Sequence, residues 1–211
     1  MKRLHAAFLF VASFGVFLPG RAQGGTLAFM FDAGLRTMSN SPETEKAIFD
    51  KKRGIGAGLG VSYDRGPRWR FGIDGRRIQR EGERAFAVDR NSPAFRLGHP
   101  LTLTMTEGLL TGAYRFGAIG PVSPYIGVGA GLLSWKEQSN TAGEIDKASG
   151  TAGLFEGRLG VEREQGRFRF GLEGGITFAP NAIGEGGISK VYEESDLGGL
   201  FVVLKLGFAR R

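Results

Sequence analysis

The sequence predicts an all-β chain, folded as an eight-stranded, antiparallel, up-and-down transmembrane β-barrel. Three observations carry this expectation. Leu200, Val202, Leu204, Leu206 and Phe208 occupy every second position, which places all five side chains on one face of a β-strand. The chain opens with the pattern of an export signal. Long polar connections then alternate with short turns through the rest of it.

Lys2 and Arg3 precede an apolar stretch from Phe8 to Leu18, and Gly20-Arg21-Ala22 places small residues where a signal peptidase reads them. Residues 1–22 are therefore expected to be a cleaved signal peptide, and residues 23–211 the barrel domain. The stretch is too short for a membrane helix, which needs roughly 20 apolar residues, and none follows it. Loss of Lys2, Arg3 and Arg21 lowers the formal charge from +7 to +4. No block of like charge marks a nucleic-acid arm, so no nucleic-acid partner is expected. The chain has no cysteine, so no disulfide framework closes it. Without a membrane helix, only a closed barrel satisfies every backbone group in hydrocarbon.

The first strand is expected from about Thr26 to Thr37, with Leu27, Phe29, Phe31, Ala33 and Leu35 on one face. The second runs from Gly54 to Asp64 and alternates Ile55, Ala57, Leu59, Val61 and Tyr63 with glycine and Ser62. Asp64-Arg65-Gly66-Pro67 turns the chain. The third sets Trp69, Phe71 and Ile73 against Arg70, Asp74 and Arg76. The fourth spans about Leu101 to Phe116. Its apolar phase slips between Leu101, Leu103 and Met105 and Leu110, Tyr114 and Phe116, which predicts a β-bulge near Glu107-Gly108. The fifth sets Ile126, Val128, Ala130 and Leu132 against Tyr125 and glycines. The sixth sets Phe155, Leu159 and Val161 against Glu156, Arg158 and Glu162. After Glu164-Gln165-Gly166-Arg167, the seventh sets Phe168, Phe170, Leu172, Ile176 and Phe178 against Arg169 and Glu173. The eighth sets its apolar face against Gly199, Phe201, Val203 and Lys205.

The expected long loops are Ser39–Arg53, Arg80–Pro100, Lys136–Gly150 and Ala179–Asp196, with three short turns between them. That asymmetry is the plan of barrels whose short turns face the periplasm and whose long loops face outward. The polar face carries Asp32, Arg36, Arg70, Asp74, Arg76, Arg115, Glu156, Arg158, Glu162, Arg169, Glu173 and Lys205. A cation on a lipid-facing strand at the midplane costs about 2–4 kcal/mol. These groups are therefore expected inside the barrel, paired with one another, with Glu156 and Arg158 in an ion-pair network. The alternative is a soluble sandwich with a solvated charged face. Tyr63, Trp69, Tyr114, Phe116, Phe168 and Phe208 are expected in an aromatic girdle at the turn end, and Trp135 in an outer girdle.

Pro124-Tyr125-Ile126-Gly127-Val128-Gly129-Ala130-Gly131 resembles a glycine-alternating strand of the small eight-stranded outer-membrane β-barrels of Gram-negative bacteria, the porin-family outer membrane protein β-barrel domain. Tyr114-Arg115-Phe116 and the closing strand resemble that family too, over the chain from about Thr26 to Phe208. The resemblance implies residence in the cell outer membrane and contact with its lipid and lipopolysaccharide. It also implies recognition of Phe208 by the outer-membrane assembly machinery. In the family the aromatic is usually the last residue, whereas Ala209, Arg210 and Arg211 follow it here.

Gly54-x-Gly56-x-Gly58-x-Gly60 and Gly127-x-Gly129-x-Gly131 alternate within strands, whereas a phosphate loop lies between a strand and a helix. His99 is the only histidine beyond the signal, and Glu193, Glu194 and Asp196 lack EF-hand spacing. No cofactor or metal is expected. Ser92, His99 and Glu107 are the candidate triad of a lipid A-modifying hydrolase. A soluble periplasmic lipocalin-like carrier is the other barrel alternative, but its Gly-x-Trp signature is missing. The preferred expectation is non-enzymatic: a monomeric outer-membrane protein, at most a narrow pore. It would stabilise the envelope or contact a surface ligand through the loops around Arg80–Pro100 and Ala179–Asp196.

Overall fold

The computed structural model describes residues 25–50, 53–141, 144–182 and 188–210. The expected signal peptide lies outside them. Eight strands among these residues close into one ring: β1 (Thr26–Arg36), β2 (Gly54–Arg65), β3 (Trp69–Phe86), β4 (Phe95–Arg115), β5 (Ser123–Thr141), β6 (Glu144–Gln165), β7 (Phe168–Phe178) and β8 (Gly199–Arg210). Each pairs antiparallel with its sequence neighbour, and β8 closes on β1 with Phe208 opposite Phe29 and Lys205 opposite Asp32. Gly66 and Gly166 sit in the short turns at φ 68° and 64°, a backbone region that glycine enters without a Cβ clash.

Alternation sorts the side chains into two faces. Apart from Arg65 and Arg210 at the turn-side ends, the outward positions of β1, β2, β7 and β8 carry Leu, Ile, Val, Phe, Tyr and small residues, and Leu204 is 68% exposed. On the outward face from Leu200 to Phe208 there is no charge. That run is about 27 Å of strand, or about 21 Å in height at the usual strand tilt, which spans most of the apolar band of about 25 Å around a membrane barrel. The inward face of β2 is all glycine from Gly54 to Gly60. A Cβ at Gly58 would press on Cγ of Arg76 at 2.7 Å and on Asp32 at 2.8 Å, and one at Gly54 on Arg80 at 2.8 Å. The glycines of β2 thus leave space for the long side chains of β3.

The strands differ in length. β1, β2, β7 and β8 have 11 or 12 residues, close to the 9–11 that cross a bilayer. β3 to β6 have 18 to 22 and rise beyond the belt as a four-stranded wall. This corrects two expected loops. Lys136–Gly150 is mostly hairpin, paired as far as Thr141 opposite Glu144. Of Arg80–Pro100, only residues 87–94 lie outside strands. The connection after β1 forms a short helix, Pro42–Thr44, and one π-helical turn, Glu45–Phe49.

The bulge expected near Glu107-Gly108 is also corrected. There β4 pairs without interruption, Glu107 with Arg76 and Gly108 with Gly75. The register shifts instead between Glu83 and Ala85, across from Gly98 at φ 71°. The apolar phase slips because the surroundings change and not the backbone. Within the belt, Leu110 points outward and is exposed. Beyond it Leu101, Leu103 and Met105 point inward and are buried. Three neighbours do the same. Ile73 is outside and Ile78 inside; Leu132 is outside and Leu133 inside; Phe155 is outside and Leu154 inside. The barrel is polar-inside where its exterior is apolar, and apolar-inside where its exterior is polar.

Candidate functional site

The interior has three layers. At the turn end, Arg70 grips Glu162 with two hydrogen bonds of 2.6 and 2.8 Å and donates to Asp64 at 2.7 Å. Arg169 pairs with Asp64, and Arg115 with Glu162 at 3.3 Å and Glu164 at 3.2 Å. The planar, bidentate grip of Arg70 is the strong form of the arginine–carboxylate bond. A vestibule of 270 Å³ opens here, lined by Asp64, Arg115, Glu164 and Arg169.

The middle layer centres on Glu173, 1% exposed. It accepts hydrogen bonds from the Tyr125 hydroxyl at 2.8 Å, Lys205 at 3.1 Å and Arg76 at 3.2 Å, with Arg158 at 3.6 Å. Arg76 also reaches Glu156 at 2.7 Å and Asp32 at 3.4 Å. Arg158 reaches Glu156 at 2.7 Å and Asp74 at 2.9 Å. Above these, Arg36 pairs with Glu107 and donates to Thr177 at 2.7 Å. The structure thus places all twelve polar-face residues inward, and each has an oppositely charged partner. Four further members escape the sequence reading. Asp64 and Glu164 read as parts of turns, and Glu107 as part of a bulge. Tyr125 reads as one more aromatic until its hydroxyl is seen on Glu173.

The third layer is apolar. Leu103, Met105, Leu133 and Leu154 line the wall, and Met38, Ile48 and Phe49 of the connection after β1 pack against them, as do Tyr192 and Leu197 from the connection before β8. Trp135, expected in an outer girdle, is 7% exposed and belongs to this interior cluster. Its β5 position lies above the belt, where inward sites are apolar. Arg80 bridges the layers: its guanidinium lies 4.3 Å from the Phe49 ring centroid and bonds Glu45 at 2.7 Å. A small pocket of about 20 Å³ lies beside Arg36, Glu107 and Ile78, about the volume of a single water.

At the turn end the aromatic residues gather outside. Trp69 and Tyr114 meet edge-on at 5.1 Å, Tyr114 and Phe116 at 5.4 Å, and Phe168 and Phe208 at 5.8 Å. Edge-to-face contact is the favoured aromatic geometry. Phe208 is exposed to the belt.

The hydrolase triad is not assembled. Glu107 is enclosed with Arg36, and His99 lies eight residues away on the same strand, about 26 Å. The Ser92 hydroxyl donates to Asp89 at 2.9 Å. That bond, with the Asn91 amide, holds the exposed Asp89 carboxyl below its ordinary pKa. Of the acids before β8, Glu193 pairs with Arg90 at 3.1 Å and the other two serve the backbone. Glu194 accepts from the amides of Glu43 and Thr44, and Asp196 from those of Ala179 and Gly198. Among the described residues no cluster of His, Cys, Asp and Glu is arranged to hold a metal ion. A cleft of 640 Å³ at the loop end is lined in part by Glu43, Lys46, Asp50, Arg90, Arg96 and Tyr192.

No protein-family model matches the chain, and no curated protein matches it. Solved structures do match in fold. Neisserial surface protein A is 12% identical, with a TM-score of 0.53, covering 88% of this chain and 99% of that one. A major outer membrane protein from Thermus thermophilus is 10% identical, with a TM-score of 0.57, covering 87% and 99%. Ail, the attachment invasion locus protein of Yersinia pestis, is 14% identical, with a TM-score of 0.50, covering 90% and 100%. At these identities the likeness is one of fold: the chain has the fold of the small eight-stranded outer-membrane β-barrels.

Proposed function

We propose that this protein is an integral, non-enzymatic barrel of the outer membrane, closed to solutes, whose role is to stabilise the envelope. Its partners are then outer-membrane lipid, lipopolysaccharide and the assembly machinery that reads the closing strand with Phe208. The observation that carries the reading is the inversion of polarity along β3 to β6. An uncharged apolar exterior around a charged interior is chemistry suited to lipid, and the buried apolar layer above it stops the lumen. An eight-stranded interior is only wide enough for side chains, and both layers fill it. In planar bilayers the purified barrel is expected to show no steady single-channel conductance. Stable conductance from the wild-type protein would contradict the closed reading.

A second reading, ligand contact through the loops, is favoured by the open 640 Å³ cleft of mixed charge at the loop end. Removing residues 89–94 while the barrel stays folded is the test. Loss of surface binding with an intact envelope supports this reading. Unchanged binding with a leaky envelope supports the structural role.

A further inference from the structure

Above the belt the four-stranded wall presents a second outward face. Strand register aligns Arg77, Thr106 and Ser134 in one row and Gln79, Thr104 and Lys136 in the next. Thr104 is half-buried and the other five are exposed. Arg77 follows Ile73 by four residues, and Lys136 follows Leu132 by four. Each cation therefore sits about 13 Å of strand beyond the last large lipid-facing side chain, or about 10 Å in height at the usual strand tilt. Lipid headgroups add about 5–7 Å to each side of the hydrocarbon, and long cationic side chains reach back that far. Two strand spacings separate β3 from β5 and the two cations lie one row apart, so Arg77 and Lys136 stand about 12 Å apart with Thr104 and Thr106 between them. Among the described residues neither cation has an acidic partner, in contrast to every arginine of the lumen. The strands of the opposite half end at the belt, so the face is one-sided.

We propose that Arg77 and Lys136, with Thr104 and Thr106 between them, bind the phosphorylated sugar headgroup of a glycolipid in the surrounding leaflet. The cations take phosphate oxygens as charge-assisted donors, and the threonine hydroxyls exchange hydrogen bonds with sugar hydroxyls. This rests on the outer-membrane reading above.

The test is unfolding of the refolded full-length protein in three vesicles: phosphatidylcholine alone, phosphatidylcholine with phosphatidylglycerol, and phosphatidylcholine with purified lipopolysaccharide at the same lipid charge. Lipopolysaccharide is expected to slow wild-type unfolding more than phosphatidylglycerol does. A surface cation is worth about fivefold in affinity for anionic lipid. The Arg77→Gln/Lys136→Gln variant should therefore lose most of the gain. Thr104→Val/Thr106→Val should lose only the excess over phosphatidylglycerol. Equal rates in all three vesicles, an equal gain from both anionic lipids, or a gain retained by the Arg77→Gln/Lys136→Gln variant would overturn the proposal while leaving the membrane reading intact. A protein that inserts into none of the vesicles would overturn both.

Discussion

Glu173→Ala is expected to destabilise the folded barrel by about 3–5 kcal/mol, the usual cost of removing one partner from a buried charge network. Glu173 accepts from Tyr125, Lys205 and Arg76 and lies near Arg158. Its loss removes the one acidic partner that Lys205 has among the described residues and the carboxylate that accepts from the Tyr125 hydroxyl. Such networks are not worth more than a well-packed apolar core. What is costly is an incomplete one. Glu173→Gln keeps an acceptor for the Tyr125 hydroxyl and removes only the charge, so an intermediate loss is expected. Arg90→Ala breaks an exposed pair with Glu193 and should cost less than about 1 kcal/mol. Urea unfolding in vesicles, followed by the shift between folded and unfolded bands on unboiled gels, measures all three. Similar costs for Glu173→Ala and Arg90→Ala would mean that the lumen is open to water.

Leu204→Arg is expected to cost about 2–4 kcal/mol, because Leu204 lies midway along the uncharged outward run of β8, where a cation meets the bilayer centre. The same residue introduced by Thr106→Arg stands at the edge of the belt and should cost about 0–1 kcal/mol. The comparison removes the intrinsic effect of arginine and leaves depth as the variable. Equal costs at the two positions would show that no lipid surrounds β8.

Much of this architecture is legible in the sequence, for one physical reason. A period of two with a charged face leaves few alternatives, so Asp32, Arg76, Glu156, Arg158 and Glu173 can be grouped without coordinates. Which pairs form cannot be read, because contacts such as Arg76 with Glu156 cross the lumen between strands distant in sequence. The upper part of the barrel is misread for a different reason. Leu101, Leu103 and Met105 obey the same alternation as Leu110 but in the opposite phase. Alternation alone does not say which side is lipid. Where the solvent outside changes from lipid to water, the apolar face moves inside and the pattern slips by one residue. A bulge gives the same signature in a single strand. The distinction rests on β3, β5 and β6 inverting too, which becomes evident once register aligns them. Trp135 is misplaced by the same ambiguity. Polar stretches such as Lys136–Gly150 read as loops because strands that leave the membrane lose their apolar face.

The measurement that tests the account most directly is a single-cysteine scan of β4 and the residue after it, from Leu101 to Phe116. The chain has no cysteine of its own. Each variant would carry a fluorophore in vesicles whose acyl chains hold a quencher. Strong quenching is predicted at Leu110, Gly112 and Tyr114, and at neither parity from Leu101 to Met105, where one face is packed and the other meets water. Strong quenching at Leu101, Leu103 and Met105 would place those side chains in lipid and contradict both the uninterrupted strand and the apolar layer that closes the barrel.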